Sequence, residues 1–77
     1  MASIVYFKML EENNEGVQYI FGFEAEEMSR TLTLNKTSRR SLPDDGNINY
    51  EFLKASRKIN SLYDERGTWP LRGMSVS

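Results

Sequence analysis

The chain has 77 residues, contains neither cysteine nor histidine, and carries a formal net charge of −1 at neutral pH. A chain of this length has room for one domain with one core. Without thiolates or imidazoles, the disulfide frameworks, thiolate zinc sites and triad bases of familiar small proteins and hydrolases are excluded. We therefore predict a protein that is not an enzyme and that uses no cofactor or metal.

The chain begins at Met1–Lys8 without a basic leader, and its first apolar run is interrupted at Lys8. No apolar stretch approaches the ~20 residues that a membrane-spanning helix needs. Small secreted domains usually depend on disulfides, and this chain has no cysteine. We therefore expect a soluble protein of the cytoplasm.

Three strands are predicted in the first half of the chain. Ser3–Leu10 is rich in β-branched and aromatic residues, and a polar break ending in glycine separates it from a second strand, Val17–Phe23. Gly22 inside the second strand suggests a bulge. After a polar connection, Arg30–Lys36 alternates apolar and polar residues as a third strand does. A loop rich in turn-forming residues follows over 37–47.

One long amphipathic helix is predicted from Ile48 to about Arg66. Asn47 or Asn49 can cap its first amides, and Gly67 stands where a helix ends in the left-handed conformation. Apolar residues recur at spacings of three and four, which indicates one buried stripe. The stripe consists of Ile48, Phe52, Ala55, Ile59 and Leu62.

The predicted fold class is α+β, with a three-stranded antiparallel meander followed by one long helix (β-β-β-α) and a short extended C-terminal tail. The whole chain, 1–77, is interpreted as a single domain with an ordered core over about 3–71 and a flexible tail over 72–77. The helix stripe is expected to cover the apolar side of the sheet, formed by Val17, Tyr19, Phe21, Leu32 and Leu34.

The first strand is apolar on both sides, and only one side can face a single helix. Ile4 and Tyr6, together with Ile20 of the second strand, are therefore expected to project from a second, uncovered sheet face. A large exposed apolar patch usually marks an interaction site. The expected covers are a second copy of the chain, another protein, or the segment of Trp69 to Leu71. Trp69 is accordingly included in the candidate protein interface.

A basic set on the helix and the preceding loop gives an alternative interpretation. Bases and an aromatic on one face are what a phosphate backbone requires. However, Glu51, Asp64 and Glu65 can pair with these bases along the helix, so we do not expect nucleic-acid binding. The candidate residues are Arg39, Arg40, Lys54, Arg57 and Lys58.

Charge is distributed unevenly along the chain. Residues 1–28 carry six acids against one base, and residues 29–77 carry nine bases against five acids. Such polarity can orient a partner or a second copy of the chain. The sequence thus favours a non-enzymatic protein–protein interaction or regulatory domain, with a homodimer or another protein as partner. The alternative is a small nucleic-acid-associated protein.

Overall fold

The computed structural model describes residues 4–76, so the predicted positions of Ser3 and Ser77 lie outside the described residues. The described chain folds into one helix and an antiparallel five-stranded sheet with the strand order β4-β3-β2-β1-β5. The fold class is therefore α+β, but the predicted three-stranded meander is wrong. In chain order the elements are β1 (Ile4–Glu12), β2 (Gly16–Gly22), β3 (Arg30–Asn35), β4 (Ser41–Pro43), α1 (Tyr50–Arg66) and β5 (Arg72–Val76).

The two strands missing from the prediction form the two edges of the sheet. β4 is only three residues long and ends in Pro43, which donates no backbone hydrogen bond and is tolerated at an edge. β5 occupies the segment predicted to be a flexible tail. It pairs antiparallel with β1, from Ile4 opposite Val76 to Lys8 opposite Arg72. This pairing joins opposite ends of the chain, which is why a local sequence pattern does not reveal it.

The core lies between α1 and one face of the sheet, as predicted. Val5 and Phe7 of β1 are buried beneath the helix. Because side chains alternate along a strand, the residues on either side of them project from the other face of the sheet. Ile48 is the exception among the predicted core residues, since it precedes the helix and its side chain is 59% exposed. The buried cluster comprises Val5, Phe7, Val17, Tyr19, Phe21, Leu32, Leu34, Phe52, Ala55, Ile59 and Leu62.

The helix is capped at both ends by residues that the sequence predicts as caps. Asn49 is the N-cap, and its side-chain oxygen accepts a hydrogen bond from the Phe52 amide at 3.1 Å. Gly67 has a φ of 76°, and its amide donates to the Tyr63 carbonyl at 2.7 Å. The positive φ is accessible to glycine at little cost. The helix therefore ends at Arg66 as predicted and begins two residues after the predicted start at Ile48.

The bulge predicted at Gly22 is found in β1 instead, where the register shifts between Met9 and Glu11. Gly22 serves a different purpose. A Cβ atom at this position would lie 3.1 Å from the Cα atom of Met28. Glycine therefore lets the connection between β2 and β3 pass close to the sheet.

A short segment carries the chain from the end of α1 back to the sheet. The buried Tyr19 hydroxyl donates to the Pro70 carbonyl at 2.7 Å, and the Met9 amide donates to the Leu71 carbonyl at 2.7 Å. These two bonds place the start of β5 beside β1. Within the described range 4–76, no helix is long and apolar enough to cross a membrane.

Candidate interaction surface

The sheet face that points away from α1, here called the outer face, is defined by the strand register. Tyr6 lies opposite Met74 of β5 and Gly22 of β2, and Ile4 lies opposite Val76. Paired residues of antiparallel strands project to the same side. The structure therefore brings the three predicted sheet residues together and adds two from β5 that the sequence analysis missed. This apolar patch consists of Ile4, Tyr6, Ile20, Met74 and Val76.

Much of the apolar patch is accessible to solvent. Met74 is 48% exposed and Val76 is 62% exposed, while Ile4, Tyr6 and Ile20 are half-buried. On β3 the same face carries Thr31 and other polar residues, so the patch is confined to β1, β2 and β5. Its members lie on three neighbouring strands, with Lys8 directly opposite Ile20, and exposed apolar residues grouped on one face are typical of an interaction site.

The β2–β3 connection, residues 23–29, turns one end of the apolar patch into a groove. Ala25 and Met28 form one side of the groove, Met74 forms the other side, and Tyr6 and Lys8 lie along it. Its volume is ≈ 500 Å³. Two flexible methionines and an aromatic ring give this groove an adaptable apolar lining.

Charges of opposite sign lie at the two sides of the groove. Lys8 pairs with Arg72 across β1 and β5, so two bases stand side by side on the outer face. The connection on the opposite side contains exposed acidic side chains at Glu24, Glu26 and Glu27. The folded chain thus places two bases beside the apolar groove and three acids on the connection that forms its other side.

Trp69 is located away from the other predicted interface residues. It packs against the core cluster on the helix side, half-buried, and its ring stacks on Tyr63 with centroids 4.0 Å apart. The Arg39 guanidinium lies over both rings, 4.6 Å from the Tyr63 centroid and 5.4 Å from that of Trp69. The segment from Trp69 to Leu71 therefore does not cover the outer face, and Trp69 belongs to a separate stacked cluster.

The structure also divides the predicted basic set. Arg39 donates to Asp64 at 2.8 Å and to Asn60 at 3.1 Å, which ties the β3–β4 loop to the end of the helix. Arg40 is exposed on that loop. Asp64 thus pairs with a loop arginine, rather than with a base of its own helix as predicted.

The helix bases lie elsewhere. Lys54 and Arg57 line a second groove beside β5, and Lys58 is half-buried on the helix. Lys54 is itself 8% exposed, with its ammonium nitrogen 5.5 Å from the centroid of the Tyr50 ring. The five bases therefore do not form one continuous patch of the kind that follows a phosphate backbone.

An ionic network around Arg30 was not predicted from the sequence. Its guanidinium donates to Asp45 at 2.8 Å, to Glu51 at 2.9 Å and to the Asn49 side chain at 2.7 Å. The hydrogen bond from Arg30 is the main cause that lowers the pKa of Asp45 to about 2. The network fixes the loop before α1 against the start of β3, so Glu51 neutralises a strand residue rather than a helix base.

Asp44 organises the same loop by accepting hydrogen bonds from neighbouring strands. Its carboxylate accepts from Thr31 at 2.6 Å, from Thr33 at 2.8 Å and from Gln18 at 3.1 Å. The bond from Thr31 is the largest cause of a lowered pKa at Asp44. Asp44 and Asp45 therefore both have structural partners.

Neither a metal site nor similarity to a known protein assigns a function to this chain. Among residues 4–76, no group of three or more acidic, histidine or cysteine side chains could hold a metal ion. In comparisons with known proteins, no family model, no curated protein and no solved structure matches this chain. Its function is therefore inferred from its surfaces.

Proposed function

We propose that this chain is a non-enzymatic protein–protein interaction domain that self-associates through its outer face. The observation that carries the proposal is the apolar patch, in which Met74 and Val76 remain exposed beside Ile4, Tyr6 and Ile20. A second copy that covers this patch would remove apolar surface from water, which is the main favourable contribution to association.

The charge pattern favours a second copy as the partner. In a two-fold symmetric dimer both copies use the same surface, and a residue away from the symmetry axis meets a different residue of the other copy. Lys8 and Arg72 of each copy can then meet the acidic connection of its partner, with Glu24, Glu26 and Glu27. Complementary charges at the rim of an interface set its orientation.

Solution mass at high micromolar concentration tests this proposal. We expect sedimentation and light scattering to show a dimer, and Tyr6→Glu to convert it to a monomer by placing a charge in the apolar patch. Met74→Glu is a second variant. Because Met74 lies on an edge strand and is 48% exposed, a charge at this position should disturb folding less than one at Tyr6. Leu71→Glu is the matched control, because Leu71 is 73% exposed but does not belong to the patch.

The helical circular dichroism signal must be retained in each variant for its mass to be interpreted. A parent chain that remains monomeric at these concentrations contradicts self-association. Equal dimerisation of the parent and Met74→Glu would place the interface elsewhere.

Nucleic-acid binding is the weaker candidate. Arg39 already pairs with Asp64, and Lys54 and Arg57 are located beside β5, away from Arg40. Phosphate affinity falls steeply with salt when few bases contribute. An anisotropy titration with labelled oligonucleotides at about 150 mM salt should show no micromolar binding. Such binding, lost in Lys54→Glu with Arg57→Glu, would favour this candidate instead. The cytoplasmic location stays a prediction from the sequence.

A further inference from the structure

The acidic part of the β2–β3 connection is held on the outer face beside Tyr6. The Glu27 amide donates to the Glu24 carbonyl at 3.2 Å, which closes a turn around the acidic residues. A Cβ atom on Gly22 would lie 3.1 Å from the Cα atom of Met28 and 3.6 Å from the Glu27 carbonyl oxygen. Gly22 is the register partner of Tyr6, so the connection rises above the sheet next to Tyr6, on the side of β2.

The bases of the outer face lie on the other side of Tyr6. Lys8 follows Tyr6 by two residues in β1, which places it roughly 7 Å farther along the strand. Arg72 lies directly opposite Lys8 on β5, and both side chains are exposed. Tyr6 therefore stands between the acids, which lie toward β2, and the bases, which lie toward β5.

These charged side chains are available to a partner. Among residues 4–76, the basic members of the ion pairs are Arg30, Lys36 and Arg39. Neither Lys8 nor Arg72 is among them, and none of the acids of the connection takes part in these pairs. A partner that contacts the outer face can therefore bind both groups without breaking an ion pair of the single copy.

The order of acids, tyrosine and bases restricts how two copies can pack face to face. The two-fold axis of such a dimer lies in the plane between the two sheets and exchanges whatever lies on either side of it. An axis that separates acids from bases places the bases of each copy against the acids of the other. An axis that runs through both groups places acids against acids and one raised connection against the other. Charge and shape therefore both favour the first axis.

We propose, on the basis of the self-association through the outer face proposed above, that the two-fold axis of the dimer crosses β1 at Tyr6. Tyr6 then packs against its own counterpart. Lys8 and Arg72 of each copy bind the acidic connection of the other, so the charged contact occurs twice in each dimer. The raised connection of one copy fits along the β5 side of its partner. The favoured occupant is a second copy of this chain, because it carries the same charges in the reverse order.

Reversing the charges in two complementary variants tests this axis by sedimentation. Lys8→Glu with Arg72→Glu makes both sides of the groove acidic, whereas Glu24→Lys with Glu27→Lys gives the connection a net positive charge beside the two bases. We expect each variant alone to dimerise at least about tenfold more weakly than the parent, because like charges face each other at both contacts. An equimolar mixture should form a heterodimer, because both of its contacts then join opposite charges.

Two further variants separate the specific contact from the overall charge. The chain with all four substitutions keeps the net charge of −1 and should dimerise again, because the charges of both contacts are exchanged. Arg40→Glu with Glu65→Lys is the matched control. It also leaves the net charge unchanged, lies at exposed positions away from the outer face, and should dimerise as the parent does. Retention of the helical circular dichroism signal checks that each variant is folded.

The absence of cysteine from the chain allows the same contact to be located by cross-linking. Lys8→Cys mixed with Glu27→Cys should form a mixed disulfide faster than either variant does with itself. If Met74→Glu disrupts the parent dimer but both charge variants dimerise like the parent, this axis is wrong and self-association stands. Charge variants that remain monomeric both when mixed and when combined in one chain also refute the axis. A monomeric parent refutes self-association itself and the axis with it.

Discussion

Replacing Tyr19 by phenylalanine removes one atom that links the core to the C-terminal strand. The Tyr19 side chain is fully buried, and its hydroxyl donates to the carbonyl of the buried Pro70 at 2.7 Å. That carbonyl lies in the segment between α1 and β5. The substitution leaves the ring and its edge-to-face contact with Phe7 in place, with centroids 5.8 Å apart.

Two contributions set the size of the effect near neutral pH. An ordinary intramolecular hydrogen bond contributes about 0.5–1.5 kcal/mol, and a buried polar group left without a partner costs about 1–3 kcal/mol. Phenylalanine removes the donor and leaves the buried Pro70 carbonyl without a hydrogen-bond partner from residue 19. We therefore expect Tyr19→Phe to lower the free energy of unfolding by about 1–2 kcal/mol at pH 7.

The difference between the two proteins should disappear in alkali. Burial raises the pKa of Tyr19 above its usual value, and the negative charge of Glu12 adds to this. A group with a raised folded pKa contributes stability that is complete below the unfolded pKa and is lost as the pH rises toward the folded pKa. With an unfolded pKa of about 10, this loss amounts to about 1.4 kcal/mol at pH 11. The phenylalanine variant has no such loss.

Urea denaturation at several pH values between about 7 and 11 measures both effects. The parent should be the more stable protein at pH 7, and the two should have similar stability near pH 11. Tyr6→Phe is the matched control at pH 7, because it deletes a tyrosine hydroxyl from a half-buried residue of the outer face and leaves the Tyr19–Pro70 bond in place. Equal stability of the parent and Tyr19→Phe at pH 7, with parallel pH profiles, would refute the hydrogen bond to Pro70.

Two further substitutions test the core and the last strand. Ile59→Ala removes a fully buried side chain and should cost about 2–5 kcal/mol in urea denaturation, whereas the partly exposed Leu53→Ala should cost clearly less; equal costs would place the core elsewhere. Gly73→Ala would place a Cβ 2.8 Å from the Phe7 ring and should cost about 1–3 kcal/mol in a thermal or urea melt, while Ser75→Ala on the same strand stays within about 0.5 kcal/mol. A silent Gly73→Ala would show that β5 does not pair with β1 in this register.

The helix and the three long strands were predictable because their signals are local. The stripe from Phe52 to Leu62 has helical spacing, and Asn49 and Gly67 mark its ends with side-chain and backbone chemistry that depends on a few neighbours. Leu32 and Leu34 alternate as strand residues with one buried face do. Ile48 has the same spacing as the buried stripe, but it precedes the N-cap Asn49. A prediction from spacing alone therefore starts the helix two residues too early.

The edge strands, and the two residues that β5 adds to the apolar patch, were not predictable in this way. Gly73 and Ser75 weaken the strand pattern of β5, and its pairing depends on β1 at the opposite end of the chain. Only the folded structure therefore shows that Met74 and Val76 lie on the same face as Tyr6. A sequence pattern does not show to which side of the sheet Trp69 points, and its stacking on Tyr63 requires the turn after the helix.

The position of β1 in the sheet has a consequence for folding during synthesis. Among the described strands β1 is made first, but its second neighbour, β5, comes from the last described residues. Until Arg72–Val76 has left the ribosome, an apolar strand therefore has one free backbone edge, although β2, β3 and β4 are already available to pair. Exposed strand edges on nascent chains are points of misassembly. A translation pause before the codons of Arg72–Val76 would prolong this exposure, whereas uninterrupted synthesis of that segment would shorten it.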